Sequence, residues 1–158
     1  MAGNVDADIR PKVEGYLLTR LYAEGSYVEK GQAMFQLDKR QAQAAVEQAT
    51  KAAEAWLKLL DNGDYRACYQ QASQMVKQHL SEDAFVQEFR AALKPLGALV
   101  SRNLKVAQYA TSLPGAPDGQ YVVMQYDSSF ANKKSATETV TPTVDKDGQW
   151  RVSGYYIK

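Results

Sequence analysis

A carboxylate and a guanidinium on separate extended segments carry the clearest chemical potential in this sequence. Glu138 alternates with Val140 in an extended segment that places both on one side of a sheet, the side toward the chain's interior. Arg102 lies in an earlier extended segment, and an adjacent strand would let the two meet. Such a pair can orient a ligand or act as a general base, but a structural ion pair accounts for it equally well. The chain has one thiol, Cys68, and one imidazole, His79. A nucleophile and base pair is chemically conceivable, yet no acid stands where it would orient the histidine, so a packed cysteine and a surface histidine are expected.

The aromatic residues Trp56, Tyr65, Tyr69, Phe85, Phe89 and Trp150 read first as core and second as the lining of a cavity. Trp56, Tyr69, Phe89, Arg102 and Glu138 form the candidate pocket set. A tyrosine-rich group, Tyr109, Tyr121, Tyr126, Tyr155 and Tyr156, offers a second possibility, an aromatic recognition surface. No Cys/His cluster has the spacing of a zinc site, so neither a metal nor another cofactor is expected.

These residues sit in a chain of 158 residues that is 45% hydrophobic, enough for a packed core. Its 19 basic and 18 acidic residues nearly cancel, which removes the positive field a nucleic-acid partner would need. No apolar run is long enough to span a bilayer.

Residues 8 to 38 have the punctuation of short strands, with Ile9-Arg-Pro-Lys-Val13, Tyr16 to Leu21 and Ala33 to Leu37 extended and a turn at Ala23 to Ser26. From Lys39 to Leu60 there is neither glycine nor proline. Val46, Ala49, Ala53, Trp56, Leu57 and Leu60 recur at helical spacing, Asp38 serves as N-cap, and Gly63 is a left-handed stop. Further helices are expected at about 64 to 75 and 82 to 93, the second capped by Ser81. Strands follow at 98–111, 120–128, 135–144 and 149–157, separated by Pro- and Gly-rich turns, which predicts an antiparallel meander. The expected class is α+β, with a β motif at 1–38, a connecting helix at 39–60 and an α+β domain at 61–158.

The pattern Val13-x-Gly15, then Glu24-Gly25-x-x-Val28-x-x-Gly31-x-x-Met34-x-x-Leu37-Asp38, resembles the first half of the lipoyl-like domain of bacterial membrane fusion proteins, the periplasmic adaptors, over residues 8–50. The resemblance implies a half barrel-sandwich, a periplasmic or envelope location and an assembly role. No second copy of the motif follows, so a twofold-related molecule is expected to supply it, against the alternative that the half-motif packs on the chain's own second domain. Val13, Gly15, Gly25, Val28, Gly31 and Leu37 are then the candidate dimer motif. Carrier domains hold a modified lysine on an exposed hairpin, whereas Lys39 follows an N-cap among helix formers and is expected to be unmodified.

The remainder resembles the domain of unknown function 4019 family over residues 52–158. Trp56-Leu57, Asp61-x-Gly63-Asp64-Tyr65, Leu96-Gly97, Ser101-Arg102, Leu113 to Tyr121 and Trp150 to Lys158 carry the likeness. The order of helices followed by a curved sheet suggests, by fold analogy, a cystatin-like cone. The expectation is a non-enzymatic homodimer that binds an envelope protein or a small ligand, against the alternative of a small acid-base enzyme with Glu138 as base.

Overall fold

The computed structural model describes residues 17–21, 23, 26, 27, 29, 32, 35–37 and 40–158. The chain divides into two compact units, Met1–Gln41 and Ala42–Lys158.

In the first unit, β1 (Leu17–Arg20) pairs antiparallel with β2 (Phe35–Leu37), with Leu17 opposite Leu37 and Arg20 opposite Phe35. The expected turn is present at Ala23, whose carbonyl accepts from both the amide (3.1 Å) and the hydroxyl (2.6 Å) of Ser26. Val13, Gly15, Gly25, Val28 and Gly31 lie outside the described residues, as do Asp38, Lys39 and the expected strand at Ile9 to Val13.

Helix α1 (Arg40–Asp61) realises the glycine-free stretch. Its buried face is Ala45, Ala49, Ala53, Trp56, Leu57 and Leu60, with Val46 packed at the margin. The small residues Ala49 and Ala53 are fully buried, which brings the backbone close to what it covers. The helix ends in a Schellman motif: the Asp64 amide donates to the Leu59 carbonyl and the Gly63 amide to that of Leu60, both at 3.0 Å. Gly63 supplies the positive φ of 73° that this ending requires.

The helix expected at 64 to 75 stops early as α2 (Tyr65–Gln70), and a second helix, α3 (Gln74–His79), begins near its expected end and runs beyond it. The break is tertiary in origin. Ser73 is extended (φ −63°, ψ 159°) because its amide donates to the carbonyl of Val152 in the last strand at 2.9 Å. Helix α4 (Glu82–Leu93) has the expected bounds, with the Ser81 hydroxyl accepting from the Ala84 amide and Glu82 and Asp83 in its first turn.

A 3-10 turn at Lys94–Leu96 leads into four strands: β3 (Leu99–Ala110), β4 (Tyr121–Phe130), β5 (Ala136–Val144) and β6 (Trp150–Ile157). They form an antiparallel sheet in chain order, so the unit is α+β with its helices preceding a meander. Alternate inward residues Val122, Met124, Val140 and Val152 meet the buried face of α1 and the ring of Phe85 to make the core. Each such aliphatic side chain is worth roughly 1.5–3 kcal/mol on burial.

Candidate functional site

Arg102 and Glu138 do meet, but by a different route from the one their sequence suggests. Arg102 on β3 stands opposite Ser128 on β4, and Glu138 on β5 stands opposite Tyr126, so β4 lies between the two. The arginine therefore reaches over Ser128 rather than across to a neighbouring strand. Its Nε donates to Glu138 Oε2 at 2.7 Å and its Nη2 to Oε1 at 2.9 Å, a bidentate pair. The other edge of the guanidinium forms a second bidentate pair with Asp61 at the end of α1, at 2.7 and 2.9 Å.

Glu138 is fully buried, at 0% exposure, and both of its oxygens are occupied further. The Ser128 hydroxyl donates to Oε2, and the Tyr155 hydroxyl to Oε1 at 2.6 Å. Burial by itself would raise the pKa of this carboxyl. The hydrogen bonds from Arg102, Ser128 and Tyr155, with the arginine's charge, outweigh it and hold the group below the ordinary carboxylate value of 4.5. Tyr155 responds in the opposite sense: burial first, then the neighbouring Glu138 charge and their hydrogen bond, drive its phenol well above the usual value. The cluster is thus a carboxylate that is ionised at neutral pH and fixed by four donated hydrogen bonds. A general base needs a free lone pair and a pKa near the working pH, and Glu138 has neither.

The aromatic candidates lie on the other side of Tyr155. Trp56 packs edge-on to Phe89 with ring centroids 5.8 Å apart, and Phe89 stacks on Phe85 at 4.1 Å. Tyr155 closes the group, 5.8 Å from Trp56 and 5.7 Å from Phe89. Beside these rings is an apolar pocket of about 430 Å³, bounded by α3, α4 and β6, whose walls include Trp56, Val76, Phe85, Phe89, Val152 and Tyr155. Trp56 and Phe89 therefore line it. Tyr69 stands apart from the lining, its ring against Phe85 and its hydroxyl donating to the Leu80 carbonyl at 2.9 Å. Arg102 instead lines a separate cleft of mixed character and about 270 Å³ with Asp61, Lys94, Leu99 and Phe130. Tyr155 borders both spaces, its ring facing the apolar one and its hydroxyl tied to Glu138.

Cys68 and His79 do not form a pair. Cys68 is fully buried and exchanges contacts with Trp56: the indole N–H donates to the Cys68 carbonyl at 2.9 Å, and the thiol lies 3.9 Å from the Trp56 carbonyl. Burial, then the charges of Asp64 and Asp61, push its pKa up to about 12, which suppresses the thiolate. His79 is exposed at the end of α3, with Nδ1 2.8 Å from the Met75 carbonyl. The tyrosines do not make one surface either: Tyr121 and Tyr126 are buried, whereas Tyr156 is 58% exposed. Among the described residues no group of His, Cys, Asp and Glu has the arrangement of a metal site, and no helix is long and apolar enough to cross a membrane.

Asp61, Ser128 and Tyr155 are the network members that residue types alone did not single out for it. A signal was present: Ser128 and Glu138 are polar residues at inward positions between Tyr126 and Phe130 and between Ala136 and Val140. A family model described as a protein of unknown function matches residues 52–155. No curated protein and no solved structure matches the chain.

Proposed function

The chain belongs to the DUF4019 family, proteins of unknown function, and from that premise we propose that it is a non-enzymatic binding protein of the bacterial envelope. Its C-terminal unit captures an apolar group in the aromatic pocket between α3, α4 and β6. One observation carries this reading: the pocket is open and lined mainly by apolar side chains, while Glu138, bonded to Tyr155 of its wall, has both oxygens filled by protein donors. A volume of about 430 Å³ lies within the usual range for small-molecule sites, roughly 300–1,000 Å³. The competing acid-base enzyme would need Glu138 to accept a proton, and the four hydrogen bonds it receives oppose that.

The assembly half of the proposal rests on the lipoyl-like pattern of residues 8–50 and on the paired strands β1 and β2. An incomplete sandwich leaves apolar faces and strand edges to be covered, and a second copy of the same half supplies the cover. The cystatin-like reading of the C-terminal unit is supported by helices that precede an antiparallel sheet and pack on one of its faces.

A neutral environment-sensitive naphthalene dye, followed by its own fluorescence and by the intrinsic emission of Trp56 and Trp150, tests the pocket. Saturable one-to-one binding, abolished by Val76→Phe with the melting temperature preserved, is the expected result. Absence of binding to the native protein would overturn the pocket reading.

A further inference from the structure

The whole chain carries a net charge of only +1, yet its charges are unevenly spread. Residues 90–100 and 128–135 contain Arg90, Lys94, Lys133 and Lys134 and neither aspartate nor glutamate. The fold joins these two segments. The Asn132 amide donates to the Leu96 carbonyl at 2.9 Å, its side-chain amide to the Pro95 carbonyl at 3.1 Å, and the Ala131 amide to the Ala98 carbonyl at 2.8 Å. Gly97 permits the approach, since a Cβ there would stand 3.1 Å from the side chains of Ala131 and Asn132. The four cations therefore share one end of the sheet, where β3 begins and β4 turns into β5.

Among the described residues none of the four has an ion-pair partner, and the acids of the adjoining segments are occupied or face elsewhere. Asp61 is held by Arg102 and Asp127 by Lys105. Glu88 is two residues from Arg90 on α4, a spacing that puts the two side chains on different faces. Lys158, at the same end, keeps its ammonium over the Tyr156 ring, 5.8 Å from its centre. At the opposite end of the sheet Asp118, Asp145 and Asp147 outnumber Lys146 and Arg151. Arg90 and Lys94 line one shallow hollow of about 530 Å³ with Gln87, Ala91 and Pro95. The end of α4 favours those two cations, but Lys133 and Lys134 lie on a turn and add repulsion that an external anion would relieve.

The same segments expose carbon: Val100 is 64% exposed, and Pro95, Ala98 and Ala131 are exposed as well. A nucleic acid offers nothing to an exposed valine, whereas a lipid surface supplies anionic headgroups for the cations and an acyl boundary for the side chain. We propose that this end of the C-terminal unit docks on an anionic lipid surface, with Arg90, Lys94, Lys133 and Lys134 against the headgroups and Val100 in the interface. The docking face is separate from the aromatic pocket and does not depend on it.

Co-sedimentation of the full chain with mixed phosphatidylglycerol and phosphatidylcholine vesicles tests this, with pure phosphatidylcholine vesicles in parallel. Only the anionic vesicles should bind, and added salt should release the protein. Lys133→Gln with Lys134→Gln should weaken binding about 25-fold, about fivefold for each charge removed. Lys77→Gln with Lys146→Gln removes as much charge from elsewhere and should change it far less; circular dichroism verifies that both variants fold. Val100→Ser should weaken vesicle binding and leave its salt dependence unchanged. Equal binding to both vesicles, equal losses in the two double variants, an inert Val100→Ser, or tighter binding to duplex DNA than to the vesicles would overturn the assignment. None of these outcomes alters the pocket reading, which the dye tests separately.

Discussion

Tyr155 donates its hydroxyl to Glu138 Oε1 at 2.6 Å while its ring stands 5.8 Å from that of Trp56, so one side chain joins the buried ion cluster to the aromatic pocket. Replacing it separates the two roles. Tyr155→Phe keeps the ring and leaves Glu138 one donor short, so it should destabilise the protein by about 1–3 kcal/mol. Dye binding at the pocket should be retained. Urea denaturation and fluorescence titration of the same variant measure both quantities.

Removing one member of the Arg102 and Glu138 pair should cost far more than removing both. Arg102→Met leaves a fully buried carboxylate without its counter-charge, and a loss of about 3–5 kcal/mol is expected. The double variant Arg102→Met, Glu138→Met should recover most of it. A double-mutant cycle by urea denaturation gives the coupling; a double variant as unstable as the two singles summed would contradict this account.

Glu138 also sets a pH dependence with a definite sign. Its native pKa lies below 4.5, so the stabilisation is complete above about pH 4.5 and is lost as the pH falls through the lower native value. Glu138→Gln should therefore be less stable at neutral pH and show a shallower loss of stability below pH 4.5. Melting temperatures between pH 2 and 7 provide the measurement.

Cys68 should be unreactive in the folded protein. With its thiol pKa pushed up to about 12 and no exposed surface, an aromatic disulfide reagent at pH 8 should label it only on unfolding. Rapid labelling of the native state would contradict the buried placement.

The assembly proposal predicts that the full chain sediments as a dimer at micromolar concentration. A monomer under those conditions would remove the lipoyl-like assembly role and leave the pocket reading untouched.

Much of the C-terminal fold was legible because its signals are local. The four strands fall within two residues of their expected limits, since alternation and the turns at Leu113 to Gly119 and Asp145 to Gly148 act over short distances. Ser81 and Gly63 likewise mark helix ends through bonds to residues a few positions away. The interruption at Ser73 was illegible because its partner, Val152, lies in the last strand. The same reason hid Asp61 and Tyr155 from the site. Arg102 and Glu138 could be matched by charge, but two residues cannot reveal that a third strand runs between them.

The span of Arg102 over β4 also disciplines how the sheet can assemble. A one-residue slip of β5 against β4 would turn Glu138 to the opposite face, leaving the guanidinium with Asp61 alone and driving Thr137 or Thr139 under the helices. A comparable slip of β3 would strand the carboxylate instead. The β3 slip thus leaves an isolated buried charge and the β5 slip breaks the buried ion pair, so the polar cluster acts as a proofreading device for the register of the meander.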